Sequence, residues 1–199
     1  MPKLPKDSTV LKNEIMEACI TVFNEKGLKF TMDDVAKACH VSKKTMYVIF
    51  ADKEDMFYKM VDFIFDKIKT AEADVLKDKT LSTVDKIKKI LCVLPEGYQN
   101  IDFTRLYSLK DKYPLIYAQV EERLETGWES TIALIEQGVK EGVVRQDIKI
   151  PIVKMMLEAS IEQFFQRDVL VRNRISYNDA ISEVVRILTD GVLIREKDK

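Results

Sequence analysis

The chain has 199 residues, of which 32 are basic and 33 acidic, so its formal net charge is −1. This length is enough to bury an apolar core without disulfides or bound metals. The charge balance excludes a strongly basic protein of the kind that binds nucleic acid through its overall charge, so any such contact must use a local patch.

Cysteine content and hydropathy indicate where the protein resides. Cys19, Cys39 and Cys92 are widely spaced and odd in number, which argues against a secreted disulfide framework and for a reducing cytosol. Charges interrupt every apolar run before the roughly 20 residues that a membrane span requires. No apolar stretch follows the N-terminal lysines, so a signal peptide is not indicated. We therefore expect a soluble cytoplasmic protein that does not contact a membrane.

Two N-terminal helices are predicted from apolar spacing and capping residues. Apolar residues recur at intervals of three and four between Ser8 and Lys26, and Gly27 follows as a left-handed stop. Thr31 and Asp34 then read as a variant capping box, in which the threonine oxygen accepts from a first-turn amide and the carboxylate reaches back. The second helix runs from there to about residue 39.

Two more helix starts follow closely. Ser42 is a candidate cap for a helix of barely two turns, over 43–49. Asp52 caps a longer fourth helix that holds its apolar pattern to about Thr70, before a polar stretch at 71–80. This helix would connect the N-terminal part rigidly to the rest of the chain.

The remaining periodicity predicts five more helices and no strand. They cover about 81–94, 102–109, 114–142, 151–172 and 176–196, and Ser176 with Asp179 caps the last one. With only six glycines and five prolines in the chain, the pattern indicates an all-α protein of about nine helices.

The segment 31–50 places two capped helices around a short turn, which predicts a helix-turn-helix. Its apolar seam would hold a row of outward polar side chains, namely Ser42, Lys43, Lys44, Thr45 and Tyr47. Hydroxyls and ammonium groups suit phosphate oxygens and base edges, and the first fifty residues carry eight lysines against six acidic residues. The alternative is a pair of packed helices in an ordinary helical protein.

The sequence TMDDVAKACHVSKKTMYVIFADKEDMF, residues 31–57, resembles the N-terminal signature of the TetR family of bacterial transcriptional regulators. The shared pattern is a threonine-led helix, A-x-x-C where most members have A-x-x-A, a turn closing in V-S, then T-x-Y-x-x-F and K-E-x-x-F. The resemblance implies a three-helix DNA-binding domain over 1–51, joined by helix four to a larger helical domain over 52–199. That second domain would bind a small-molecule effector and form a homodimer.

The resemblance also implies roles for single residues. Thr31 and the outward side chains between Ser42 and Tyr47 would face DNA, with the Tyr47 hydroxyl donating to the DNA backbone, and Lys53 would contact a phosphate. Two further departures matter more than the cysteine at position 39. His40 replaces the usual glycine of the turn, where a left-handed backbone costs a non-glycine residue about 1 kcal/mol. Lys44 replaces a frequent glycine or alanine, so operator preferences cannot be transferred from relatives.

The C-terminal two-thirds carries side chains that could line a pocket for an apolar or amphipathic ligand. The candidates are Cys92, Tyr98, Phe103, Tyr107, Tyr117 and Trp128, although core packing explains most of them equally well. The adjacent Cys39 and His40 do not form a metal site, since neighbours cannot easily share one zinc and the chain has no other histidine. No nucleophile, base and orienting acid occur as a set, so we expect neither cofactor nor enzymatic activity.

The last two predicted helices carry apolar faces wide enough to cover both a core and a partner molecule, which favours a homodimer. The sequence therefore predicts a regulator, most often a repressor in this family, that is released from a palindromic DNA operator by a small molecule. The alternative is a small-molecule carrier or an enzyme that keeps this fold without binding specific DNA.

Overall fold

The computed structural model of the chain describes residues 8–95, 98, 109–166 and 169–193, and these form eleven α-helices. A single 3-10 turn, Gly27–Lys29, follows the first helix. The helices are α1 (Ser8–Lys26), α2 (Met32–Ala38), α3 (Lys43–Ile49), α4 (Lys53–Lys77), α5 (Thr83–Ile90), α6 (Leu109–Lys112), α7 (Pro114–Glu125), α8 (Glu129–Lys140), α9 (Ile150–Gln166), α10 (Val169–Asn173) and α11 (Tyr177–Val192).

The all-α prediction is confirmed. In the described ranges no β-strand occurs, and a single isolated antiparallel bridge joins Val144 and Leu193. The same ranges contain no helix whose length and apolar character would let it cross a membrane. Two of the eleven helices, α6 and α10, have only four and five residues.

The predicted helix starts coincide with hydrogen-bonded caps. Asp34 N–H donates to Thr31 Oγ1, and the Thr31 N–H donates to the Asp34 carboxylate, which completes the predicted capping box. Ser42 and Ser176 accept in the same way from the amides of Thr45 and Asp179. These first-turn N–H groups have no partner within their own helix, so a side-chain oxygen at this point fixes where each helix begins.

Several helix boundaries differ from the prediction, and α5, for example, covers Thr83–Ile90 instead of 81–94. α4 continues to Lys77 instead of ending near Thr70, because the polar stretch still packs: Val75 is buried, and buried Glu72 pairs with Lys69 at 2.9 Å. The predicted helix over 114–142 is broken into α7 and α8 at Gly127, whose φ is +76°. The predicted short helix at 102–109 lies almost wholly outside the described residues, as do residues 167 and 168 within the predicted helix 151–172.

The chain divides into two compact units. The first consists of residues 1–65 and 108–120, and the second of 66–107 and 121–199. These divisions differ from the predicted boundary between residues 51 and 52, because the first turns of α4 belong to the core of the first unit. Phe57 is fully buried there and contacts the rings of Phe23, Phe30 and Tyr113, with centroid distances of 5.3, 5.7 and 5.9 Å.

In the second unit, α5 packs closely on α8. A Cβ added to Gly138 would lie 2.7 Å from Val144 Cγ2 and 3.1 Å from Ile87 Cδ1, so the absence of a side chain permits this approach. Helices α9 and α11 also pack together. Both bury one apolar face, with Leu157 and Val185 at 1% and 3% exposure, and leave other apolar side chains exposed.

Candidate nucleic-acid interface

The turn between α2 and α3 has the predicted left-handed backbone at His40, whose φ is +56°. The His40 amide donates to Lys37 O at 3.2 Å, and the Val41 amide donates to Ala36 O at 2.9 Å. These bonds satisfy carbonyls at the end of α2 and reverse the chain within four residues. The turn therefore forms with an imidazole where a glycine would be unstrained, and that side chain is exposed.

The inner face of α3 is fixed by apolar burial. Met46 and Phe50 are exposed by only 0% and 1%, and Val35 of α2 is fully buried with them in the first unit. Burying side chains of this size contributes about 1.5 to 3 kcal/mol each. A helix of seven residues is too short to be stable alone, so this packing, together with the Ser42 cap, holds α3 in place.

The outer face of α3 presents an exposed stripe made of Lys44, Tyr47 and Val48. Tyr47 and Val48 follow Lys44 by three and four residues, which is about one helical turn, so the three lie on the same face. Tyr47 and Val48 are 56% and 46% exposed. Within the described part of the chain, Lys44 has no carboxylate partner. Val48 was not among the predicted contact residues because it is apolar, although its spacing of four from Lys44 indicated the same face. Apolar side chains can contact the methyl group of thymine.

The other polar residues of α3 are held by bonds within the protein. Ser42 Oγ accepts from the Thr45 amide at 3.1 Å and lies 2.9 Å from Thr45 Oγ1. Lys43 Nζ lies 2.7 Å from the carboxylate of Asp33 on α2, and this hydrogen bond raises the pKa of Lys43. Lys43 thus presents a charge that is already partly compensated.

Thr31 and Lys53 are likewise engaged. Thr31 Oγ1 donates to the Asp34 carboxylate at 2.8 Å in addition to accepting from its amide. Lys53 Nζ donates to Leu28 O at 2.7 Å and lies 4.5 Å from the Phe30 ring centroid. Burial, together with the nearby charge of Lys112, lowers the pKa of Lys53. A phosphate contact by Lys53 would require this internal bond to break, so that role stays a prediction.

The predicted ligand-pocket residues are divided between the two units. Tyr117 belongs to the first unit and is 6% exposed, whereas Cys92, Tyr98 and Trp128 belong to the second. Trp128 Nε1 donates to Leu124 O at 2.8 Å, and the Cys92 thiol donates to Lys88 O at 3.3 Å. Phe103 and Tyr107 lie outside the described residues. The described members belong to different compact units, and their contact with a ligand stays a prediction.

The second unit contains a cleft of about 200 Å³ between α7 and α9. It is lined by Glu121, Leu124, Glu125, Met155, Glu158, Ala159 and Glu162. A smaller cavity of about 10 Å³, large enough for one water molecule, lies beside Trp128. Both are below the roughly 300 Å³ typical of small-molecule sites.

The N-terminal part of the chain matches a known protein family. Residues 15–60 match the family described as bacterial regulatory proteins, tetR family. A Bacillus subtilis protein described as the uncharacterized HTH-type transcriptional regulator YvaF is 22% identical over 187 residues, which cover 94% of this chain and 98% of that protein. The biofilm operon icaADBC negative transcriptional regulator IcaR of Staphylococcus aureus is 24% identical over 116 residues, covering 58% of this chain and 56% of IcaR.

A solved structure shares the fold. The crystal structure of the transcriptional regulator FadR from Bacillus subtilis, in complex with stearoyl-CoA, superposes with a TM-score of 0.58. The match has 17% sequence identity and covers 89% of this chain and 97% of FadR. At this identity the likeness concerns the arrangement of helices and not the chemistry of individual residues.

Proposed function

We propose that this chain, whose residues 15–60 match the tetR family of bacterial regulatory proteins, is a cytoplasmic, DNA-binding transcriptional regulator acting as a homodimer. The proposal rests on one observation above all. α3 is capped by Ser42, packed from within by Met46 and Phe50, and exposes Lys44, Tyr47 and Val48 on a single face. A short rigid helix with a polar, partly cationic outer face has the form of a recognition helix in the major groove.

The seven predicted DNA-contact residues take different parts in this proposal. Lys44 and Tyr47 are exposed on α3 and reach phosphates or base edges first. Ser42, Lys43 and Thr45 order the helix start and approach DNA from positions that internal bonds already fix. Thr31 and Lys53 stabilise the ends of neighbouring elements and contact the DNA backbone only after their own bonds rearrange.

We propose dimerisation through α9 and α11, whose unburied apolar side chains lack a covering surface in the described chain. Ile152, Met155 and Met156 of α9 are exposed by 47%, 54% and 50%, and Ile187 of α11 by 59%. Large exposed apolar patches are rare on monomeric proteins and usually mark a protein interface. A dimer would also supply two recognition helices for half-sites about 34 Å apart on a palindromic operator.

The further proposal is that the protein is a repressor released by a small molecule. IcaR is described as a negative regulator, and FadR as a regulator in complex with an acyl-CoA. α4 contributes its first 13 residues, 53–65, to one compact unit and 66–77 to the other. An effector that binds one geometry of the dimer more tightly than another shifts the population between them, and α4 is the element through which such a change would reach α3.

The test is a mobility-shift assay with the intergenic DNA beside the gene of this protein, repeated at several salt concentrations. We expect a discrete complex that unlabelled copies of the same duplex displace and an unrelated duplex of equal length does not. If neither this DNA nor any duplex selected from a random pool is preferred, the regulator proposal fails, and a carrier or enzyme that retains the fold replaces it. Addition of candidate small molecules to the preformed complex then tests the proposed release.

A further inference from the structure

The connection from α3 to α4 is held by two charged side chains of α4, Asp55 and Lys59. Asp55 Oδ2 accepts from the backbone N–H of Ala51 at 2.9 Å and from Lys59 Nζ at 2.7 Å. Lys59 Nζ also donates to Ile49 O at 3.4 Å and lies 5.5 Å from the ring centroid of Phe50. One ion pair thus binds the last carbonyl of α3 and the amide of Ala51, the second residue beyond the helix. We call the pair Asp55 and Lys59 the α3 clasp.

The α3 clasp is shielded from solvent more than an ordinary surface ion pair. The side chains of Lys59 and Asp55 are only 35% and 28% exposed. Burial alone would raise the pKa of Asp55, but the hydrogen bonds from Lys59 and Ala51 outweigh burial and lower it. The carboxylate is therefore stabilised in its charged form, bound to both groups.

The position of the clasp suits the weakness of α3. This helix has seven residues, and its C-terminal carbonyls carry the negative end of the helix dipole. A lysine at that end compensates the dipole and supplies a partner for an otherwise unbonded carbonyl. Because Phe50 leaves the helix with an extended backbone, at φ −125° and ψ 133°, the direction of α3 depends on how this junction is held.

We propose that Asp55 and Lys59 are positioning residues for DNA recognition: they orient the exposed stripe of α3 without touching DNA. The inference rests on the proposed function, since a recognition helix must exist for its orientation to matter. Loss of the clasp leaves Lys44 and the other cations in place, so the attraction to phosphates persists. The fraction of molecules whose α3 is oriented to fit the major groove becomes smaller, and the affinity for the specific site falls in proportion.

The test compares Lys59→Met, Lys59→Arg and the control Lys86→Met. Lys86 is a matched residue of the second unit, because its Nζ donates to Leu76 O at 2.8 Å, near the end of α4. Two probes are used, a duplex selected by the wild-type protein from a random pool and an unrelated duplex of equal length. Affinity is measured across a salt series, and amide hydrogen exchange is followed in α3 and the residues after it without DNA.

We expect Lys59→Met to bind the selected duplex about fivefold more weakly, with an unchanged salt slope and unchanged affinity for the unrelated duplex. Exchange at residues 49–51 should accelerate, while exchange in α2 should not. Lys59→Arg should restore both readouts, and Lys86→Met should alter neither.

Three other results would overturn the proposal in distinguishable ways. A dependence of log K on log salt that is shallower by about 1.8 per dimer, together with weaker binding to both duplexes, would show that Lys59 contacts phosphate directly. A lower melting temperature with unchanged exchange and specific affinity would leave Lys59 a purely stabilising residue. If the wild-type protein selects no duplex, the proposed function itself fails, whereas the exchange data still establish whether the clasp orders α3.

Discussion

Substitutions of Lys44 and of Asp33 should change the affinity for DNA in opposite directions. Among the described residues, Lys44 is the cation of α3 without a carboxylate partner, while Lys43 is paired with Asp33 at 2.7 Å. Lys44→Ala removes a charge that is available to phosphate. Asp33→Asn removes no lysine but releases Lys43 from its partner. The first substitution should therefore weaken binding and flatten its salt dependence, and the second should strengthen binding and steepen it.

The magnitude follows from counting phosphate contacts. Each contact contributes about 0.9 to the slope of log K against log salt, so a dimer that loses two contacts loses about 1.8. Between about 50 and 200 mM salt, this slope difference changes the ratio of wild-type to variant affinity by about tenfold. Asp33→Asn should show a gain of similar size in slope if both released Lys43 side chains reach phosphate.

Fluorescence anisotropy with a labelled duplex at five or more salt concentrations measures both quantities. Lys37→Ala is a suitable control, because Lys37 is an exposed lysine that belongs to α2 and not to the stripe of α3. Unchanged affinity and slope in Lys44→Ala would place that side chain in solvent in the complex. A flatter slope in Asp33→Asn would show that Lys43 already contacts DNA while paired, which contradicts the reasoning from the ion pair.

Three further substitutions test the fold around these elements. His40→Gly should raise the free energy of unfolding by about 0.5 to 1 kcal/mol in urea titrations, because it relieves a left-handed backbone; a lower stability would mean that the imidazole contributes a contact of its own. Gly138→Ala should destabilise by about 1 to 2 kcal/mol despite its better helix propensity, since the new Cβ would lie 2.7 Å from Val144 Cγ2; a gain would show that α5 and α8 can separate freely. The hydrogen bonds from Lys26 and Thr31 lower the pKa of Asp34 to about 2 from 3.8. Asp34→Asn should therefore lower the melting temperature by its full amount above pH 4, and the difference from wild type should fade as the pH falls towards 2. A difference independent of pH would exclude the charge as its cause.

The helix starts could be predicted from the sequence because capping is local. The bonds of Thr31 with Asp34, and of Ser42 with Thr45, join residues three apart, so residue type and spacing determine them. His40 in a left-handed turn was predictable for the same reason, as was Gly27 with φ +57° after α1.

What the sequence could not reveal depends on contacts between distant residues. Lys53 bonds Leu28 O, 25 positions away, and nothing in the pattern around Lys53 indicates that its amine is already occupied. The length of α4 was underestimated because the burial of Val75 and Glu72 comes from tertiary packing and not from apolar spacing. The candidate ligand residues were grouped by chemical type, whereas the chain places Tyr117 and Trp128 in different compact units.

The ring contact between Phe57 and Tyr113 has a consequence for how the protein is made. These residues share the core of the first unit although 55 residues separate them in the chain, including all of 66–107, which belong to the other unit. At synthesis rates of about 5 to 20 residues per second, a growing chain therefore waits roughly 3 to 11 seconds between emergence of Phe57 and emergence of its partner. During that interval an N-terminal fragment exposes an incomplete aromatic core. A truncated DNA-binding fragment that ends at residue 65 should aggregate for the same reason, and coexpression of a peptide covering 108–120 should improve its solubility.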